Sequence, residues 1–165
     1  MKTIFKSVLL ALLIISCKNK TVEPIEVKKL NGSDLIFAFG SCNRQSFENK
    51  LWKPVLENNP ILWIWGGDII YSDTDDMELM AQHYQQQREQ EGYDDIVKNM
   101  RVLGTWDDHD YGLNDGGLEY VAKAESQQLF LDFLGVSKDD PRRSREGVYH
   151  SELLKTEDGS VNIIV

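Results

Sequence analysis

Three short polar clusters carry the residue types from which a metal-assisted hydrolytic site is built. The densest is Trp106-Asp107-Asp108-His109-Asp110-Tyr111-Gly112-Leu113-Asn114-Asp115. Its four carboxylates and one imidazole fall within nine residues, and such carboxylates repel one another unless cations neutralise them. A turn crowded with helix-capping carboxylates is the alternative. His109 suits a general acid, or an electrostatic partner, for a leaving oxygen. The second cluster is Gly66-Gly67-Asp68-Ile69-Ile70-Tyr71-Ser72-Asp73. A carboxylate straight after a buried strand sits at the sheet's edge, where an oxygen ligand bridging two hard cations would fit. Tyr71 can point back to the same place, and a phenolate is a good ligand for ferric iron. Asp68 can equally cap the next helix. The third cluster is Gly40-Ser41-Cys42-Asn43-Arg44-Gln45. A lone Cys after a strand is commonly a small buried residue. Arg44 offers its planar fork of donors to an anionic substrate, or is a solvated surface residue. The other histidines, His83 and His150, fall in a charged helix and a strand, and read as surface or packing residues.

Five apolar runs predict the strands that must hold these clusters. They are Leu35 to Phe39, Ile61 to Trp65, Arg101 to Trp106, Val148 to Leu153 and Val161 to Val165. The second is continuously apolar, as in a strand buried on both faces. Leu51, Trp52, Val55 and Leu56 share a helical face, with Pro54 tolerated in the first turn. Residues Asp75 to Met100 read as mostly helical, broken near Gly92. Leu118 to Leu134 reads as one helix, with Leu118, Val121, Ala122, Leu129 and Phe133 on one side and Gly135 closing it. Alternating strands and helices predict an α/β layered fold. In open α/β sheets ligands bind beyond the carboxyl ends of the strands, so the three clusters are expected to converge.

The 165 residues suffice for one domain with a real core. With 18 Lys and Arg against 27 Asp and Glu the net charge is −9, which argues against a partner held by nucleic-acid phosphates. A phosphorylated small molecule stays compatible, because carboxylates loaded with cations become locally positive. Two cysteines, Cys17 and Cys42, make no disulfide scaffold. Lys2 and Lys6 precede the apolar run Ser7 to Ile15, too short for the roughly 20 residues of a spanning helix. Residues 1–17 read as a secretory signal. Its end, Ile14-Ile15-Ser16-Cys17, resembles a bacterial lipobox, in which Cys17 is lipidated. The expectation is an exported, membrane-anchored lipoprotein facing the periplasm or cell surface. Residues 18–33 read as a polar tether and 34–165 as the folded domain. The stop inside an apolar strand, at Asn162-Ile163-Ile164-Val165, leads us to expect a domain truncated at its C-terminus.

Together the clusters resemble the alkaline phosphatase D (PhoD-like) metallophosphatase family. The matching residues are Gly40-Ser41-Cys42, Gly67-Asp68 with Ile70-Tyr71, and Trp106-Asp107-Asp108-His109-Asp110 with Asn114. Pro141-Arg142 and Gly147-Val148-Tyr149, followed by Val161 to Val165, are similar too, so the resemblance covers about Leu35 to Val165. It implies a four-layer α/β/β/α sandwich with a multinuclear site of iron, Fe(3+), and calcium, Ca(2+). Cys42, Asp68 and Tyr71 would be iron ligands, with Asp68 bridging to a second metal. Asp108 would stand where related metallophosphoesterases place an Asn ligand, His109 would be the catalytic histidine, and Asn114 a lesser ligand or substrate contact. Asp107 and Asp110 would support the ligands from behind. The implied activity is hydrolysis of phosphate esters by a metal-activated water, with further metal-binding motifs expected downstream of Val165, so this chain alone is expected to lack a complete metal shell and the activity to belong to the longer protein. A phospholipase of the same fold is a variant of this reading. The rival is a non-catalytic, lipid-anchored calcium-binding protein, which would need neither the Cys42 thiolate nor the Tyr71 phenolate.

Overall fold

The computed structural model describes residues 35–156 and 159–165, and the backbone of Ile25–Glu26. The expected signal segment, Cys17 and most of the expected tether lie outside the described residues. Ile25–Glu26 form a two-residue strand, β1, so the stretch read as a tether includes a paired segment. The later elements are β2 (Phe37–Gly40), α1 (Trp52–Glu57), β3 (Leu62–Gly66), α2 (Met77–Arg88), α3 (Tyr93–Asn99) and β4 (Arg101–Thr105). They continue with α4 (Asp108–Tyr111), α5 (Lys123–Phe133), a 3₁₀ turn at Pro141–Arg143, β5 (Ser151–Thr156) and β6 (Gly159–Ile164). Among the described residues no helix is long and apolar enough to cross a membrane.

The expected mixed α/β class holds. β2, β3 and β4 form a parallel sheet in that order, with Gly40 beside Trp65 and Gly66 beside Thr105. Three parallel neighbours end on one edge, so the loops that leave them start side by side. A second sheet, ordered β1-β5-β6, pairs β5 and β6 antiparallel and β1 parallel to β5.

The side chains of Trp63 and Trp65 alternate onto one face of the parallel sheet, under the helices. Trp52 from α1 meets both edge-on, with centroids at 5.3 and 5.7 Å. Tyr93 from α3 stacks on Phe133 from α5 at 5.8 Å. The Trp65 indole N–H donates to the Tyr93 hydroxyl at 3.1 Å, which satisfies a donor inside the core. Leu62 and Leu103 point to the opposite face and are buried. There Arg101, on the same face as Leu103, donates to both oxygens of buried Glu152 in β5, at 3.2 and 2.6 Å. That fork ties the second sheet to the face away from the helices. Phe39, on the same face but in edge strand β2, stays 79% exposed.

Two expected helices differ from those observed. The 75–100 stretch divides into α2 and α3, and Gly92 starts α3 at φ 84°, in the left-handed region. The helix expected from Leu118 begins only at Lys123. Tyr120 is the cause: its ring is buried against Gly112, its hydroxyl donates to the Thr74 carbonyl at 2.7 Å, and its N–H to the Gly117 carbonyl at 3.0 Å. This anchored turn leaves Leu118 and Val121, both expected in the core, more than four-fifths exposed, at 81% and 82%.

Candidate metal centre

The loops leaving β2, β3 and β4 meet at the edge where the strands end. Gly67 allows the contact between the last two. Its φ is +99°, and a Cβ there would lie 2.5 Å from the Asp107 Cβ. Cys42, Asp68 and Asp73 also adopt left-handed backbone, at φ 56°, 50° and 48°. Three such non-glycine residues around one site are strain that the surrounding bonds must hold in place. The Cys42 N–H donates to the Gly67 carbonyl at 3.3 Å and the Asn43 N–H to the Asp68 carbonyl at 2.8 Å.

Ligand atoms of Asp68, Asp108 and His109 come within 4.8 Å of one another, an arrangement that could hold a metal ion. Asp68 is buried, and its Oδ2 accepts from the Tyr71 hydroxyl at 3.1 Å. Its Oδ1 is buried with no hydrogen-bond partner. A buried carboxylate oxygen left bare costs several kcal/mol unless a cation meets it, on the order given for uncompensated buried charge. Burial, then the charge and hydrogen bond of Asp68, push the Tyr71 phenol well above its ordinary range, and the Cys42 thiol adds to this. Without a cation that phenol stays protonated, and Cys42 lies within its hydrogen-bonding reach. The cluster joins two carboxylates and an imidazole; Tyr71 reaches it through the Asp68 carboxylate, and Cys42 is exposed and lies outside the three-residue group. Carboxylate and imidazole donors of this kind suit a range of metal ions.

Asp108 is oriented by the Asp115 N–H, which donates to Oδ2 at 2.5 Å and holds the carboxyl below its ordinary range. His109 stacks near Tyr71, with centroids at 4.1 Å. Its Nδ1 bonds both carboxylate oxygens of Asp73, at 2.7 and 2.9 Å, which leaves Nε2 for other partners. Burial lowers the imidazole pKa, but Asp73, Asp108 and Asp68 outweigh it and the net shift is upward. Arg44 lies over the Tyr71 ring at 4.7 Å, which keeps a guanidinium beside the cluster.

The remaining acids differ from one another. Asp110 is fully buried and faces the backbone: it accepts from the N–H groups of Asp68, Ile69 and Asp107 at 3.3, 3.0 and 2.7 Å. It sets the Asp68 loop against the start of α4. Asp107 is exposed and packs beside Gly67. Asn114 is exposed and donates to its neighbour Asp115 at 2.8 Å, so it does not join the three-residue cluster.

Sequence reasoning missed Asp73 and Gln45. Asp73 stands two residues after Tyr71, and only the left-handed turn at that position brings it back to His109. Gln45 clamps Tyr71 from both sides: its Oε1 accepts from the Tyr71 N–H at 2.9 Å and its amide donates to the Tyr71 carbonyl at 3.1 Å. Gln90 in turn donates to the carbonyls of Gln45 and Phe47 at 3.1 and 3.0 Å. No local signal in the sequence marks either glutamine. His83 is not idle either, since its Nδ1 lies 3.0 Å from the Ser72 hydroxyl.

No family model matches the chain, and neither a curated protein nor a solved structure matches it.

Proposed function

We propose that this is a metal-dependent phosphoric ester hydrolase of the alkaline phosphatase D type. The bare, buried Oδ1 of Asp68, beside Asp108 and His109, carries the reading. Cys42, Tyr71 and Asp68 would hold iron, and Asp68 with Asp108 a second cation such as calcium. The parallel sheet and its helices would form two layers of a four-layer α/β/β/α sandwich. Export and a lipid anchor at Cys17 belong to the same proposal, as do phosphomonoesters, phosphodiesters or phospholipids as substrates.

Bound cations supply Lewis-acid polarisation of a phosphoryl oxygen and a water of lowered pKa. The residues do the rest. Arg44, held over Tyr71, binds a non-bridging phosphoryl oxygen. His109, fixed through Nδ1 by Asp73, offers Nε2 as the proton donor to the leaving oxygen. Asp110 and Gln45 keep the loops from relaxing as charge develops.

The test uses the whole chain refolded with iron and calcium. Metal content, a visible charge-transfer band and cleavage of p-nitrophenyl phosphate, its bis-ester and a phospholipid are measured. Bound iron, a band lost in Tyr71→Phe, and a rate about 10²–10⁴-fold lower in His109→Ala support the reading. Calcium bound without iron, with no charge-transfer band, would instead favour the calcium-binding protein.

A further inference from the structure

Leu118 and Val121 are the apolar residues that the core leaves out, and Leu118 stands at the rim of a cavity of about 500 Å³. That volume lies within the range of small-molecule sites, roughly 300–1,000 Å³. One wall is aromatic: Trp106 and Tyr111 meet edge-on with centroids at 5.1 Å. The opposite wall is polar and already shaped. Gln127 donates to the carbonyls of Arg142 and Arg145 at 2.6 and 2.8 Å, and accepts from the Gly147 N–H at 3.2 Å. This buried amide fixes the 142–147 loop before any ligand arrives.

The charges around the cavity do not cancel. Arg143 is engaged by Asp132 at 2.8 Å and by the Gln128 carbonyl at 3.1 Å. Lys123, at the start of α5, has no hydrogen bond or ion pair among the described residues. Arg145 donates through one Nη to the Tyr149 carbonyl and lies over the Tyr149 ring at 3.6 Å, while its buried Nε–H has no acceptor. Glu146 is the one carboxylate on the lining, and it is exposed. Two cationic donors, an aromatic wall and an exposed leucine at the rim call for a ligand with a flat apolar body and an anionic head.

We infer that this cavity binds an amphipathic anion, an aromatic or similarly flat apolar group bearing a carboxylate or phosphate. The head meets Lys123 and Arg145, the body lies on Trp106 and Tyr111, and Leu118 closes over it. None of these side chains belongs to the candidate metal centre, so the site stands whether or not that centre is catalytic.

The test is calorimetric titration of the whole chain, in chelator, with 2-naphthoate and with 2-naphthylmethanol as its uncharged counterpart. Naphthoate is expected to bind saturably, one per chain, about tenfold more tightly than the alcohol, as one charge-assisted contact implies. Lys123→Gln should weaken naphthoate about tenfold and leave the alcohol unchanged. Ala124→Trp, at an exposed helix position on the lining, should abolish both while the circular dichroism spectrum is retained. Absence of saturable naphthoate binding overturns the inference, as does equal affinity of the two variants and the original chain.

Discussion

Asp110 sits two residues from Asp108 in the same acidic run, yet its job is of a different kind. Replacing it with Ala leaves three N–H groups, those of Asp68, Ile69 and Asp107, without their acceptor. Each buried donor left unmet costs about 1–3 kcal/mol, so simple tripling gives about 3–9 kcal/mol. The upper end overshoots, because the three bonds share two oxygens and the loops can relax together. Burial also works against the carboxylate itself, pushing its pKa up to about 7, so removing it returns part of a desolvation cost. We expect about 3–4 kcal/mol for Asp110→Ala, a large share of the roughly 5–15 kcal/mol that holds a domain together. Asp110→Asn, which keeps one acceptor oxygen, should lose about 2 kcal/mol. Urea unfolding in chelator reads this as a lower midpoint at unchanged slope. Asp107→Asn, with an exposed side chain, should fall within about 0.5 kcal/mol of the original. If Asp110→Ala also falls there, the three bonds do not hold the loops, and the account of how the site is assembled fails.

Gly67→Ala should destabilise by about 1–3 kcal/mol, since the new methyl meets Asp107 in a left-handed backbone; unfolding midpoints check it. Leu118→Ser should shift stability by less than about 0.5 kcal/mol, whereas Leu131→Ala, fully buried in α5, should lose about 2–5 kcal/mol. The reverse order would mean that α5 does start at Leu118. Asp140 is held down to about 2, first by its hydrogen bonds from Arg142. Its folded pKa is depressed, so its stabilisation is present above the unfolded value of 3.8 and lost as pH falls through about 2. Asp140→Asn should therefore be less stable than the original at pH 5, with the gap closing toward pH 2 in acid-unfolding curves.

Apolar runs located the parallel sheet well, because a strand buried on both faces leaves a continuous signal, as Leu62 to Trp65 does. Convergence of the three clusters followed from the rule that such loops share an edge. The start of α5 was not legible. Helical spacing put Leu118 and Val121 on a core face, but one anchored residue, Tyr120, decided the local path, and periodicity carries no information about an anchor. The site was legible in residue type and not in role. Asp107, Asp108 and Asp110 are equal letters in a run. Only the turn of α4 makes Asp110 a backbone acceptor and leaves Asp108 at the cluster. Asp73 and Gln45 became visible only through bonds that span the loops.

Phe39 gives the molecule a liability in solution. The strand Phe37–Gly40 presents Phe-Ala-Phe-Gly with no lysine and no proline, at the outer position of its sheet. Natural edge strands usually carry such residues to discourage pairing with another chain. A concentrated sample therefore has a ready template for strand-to-strand aggregation. A single Phe39→Lys exchange, on the sheet face opposite the buried tryptophans, is the natural first step toward a preparation that stays dispersed.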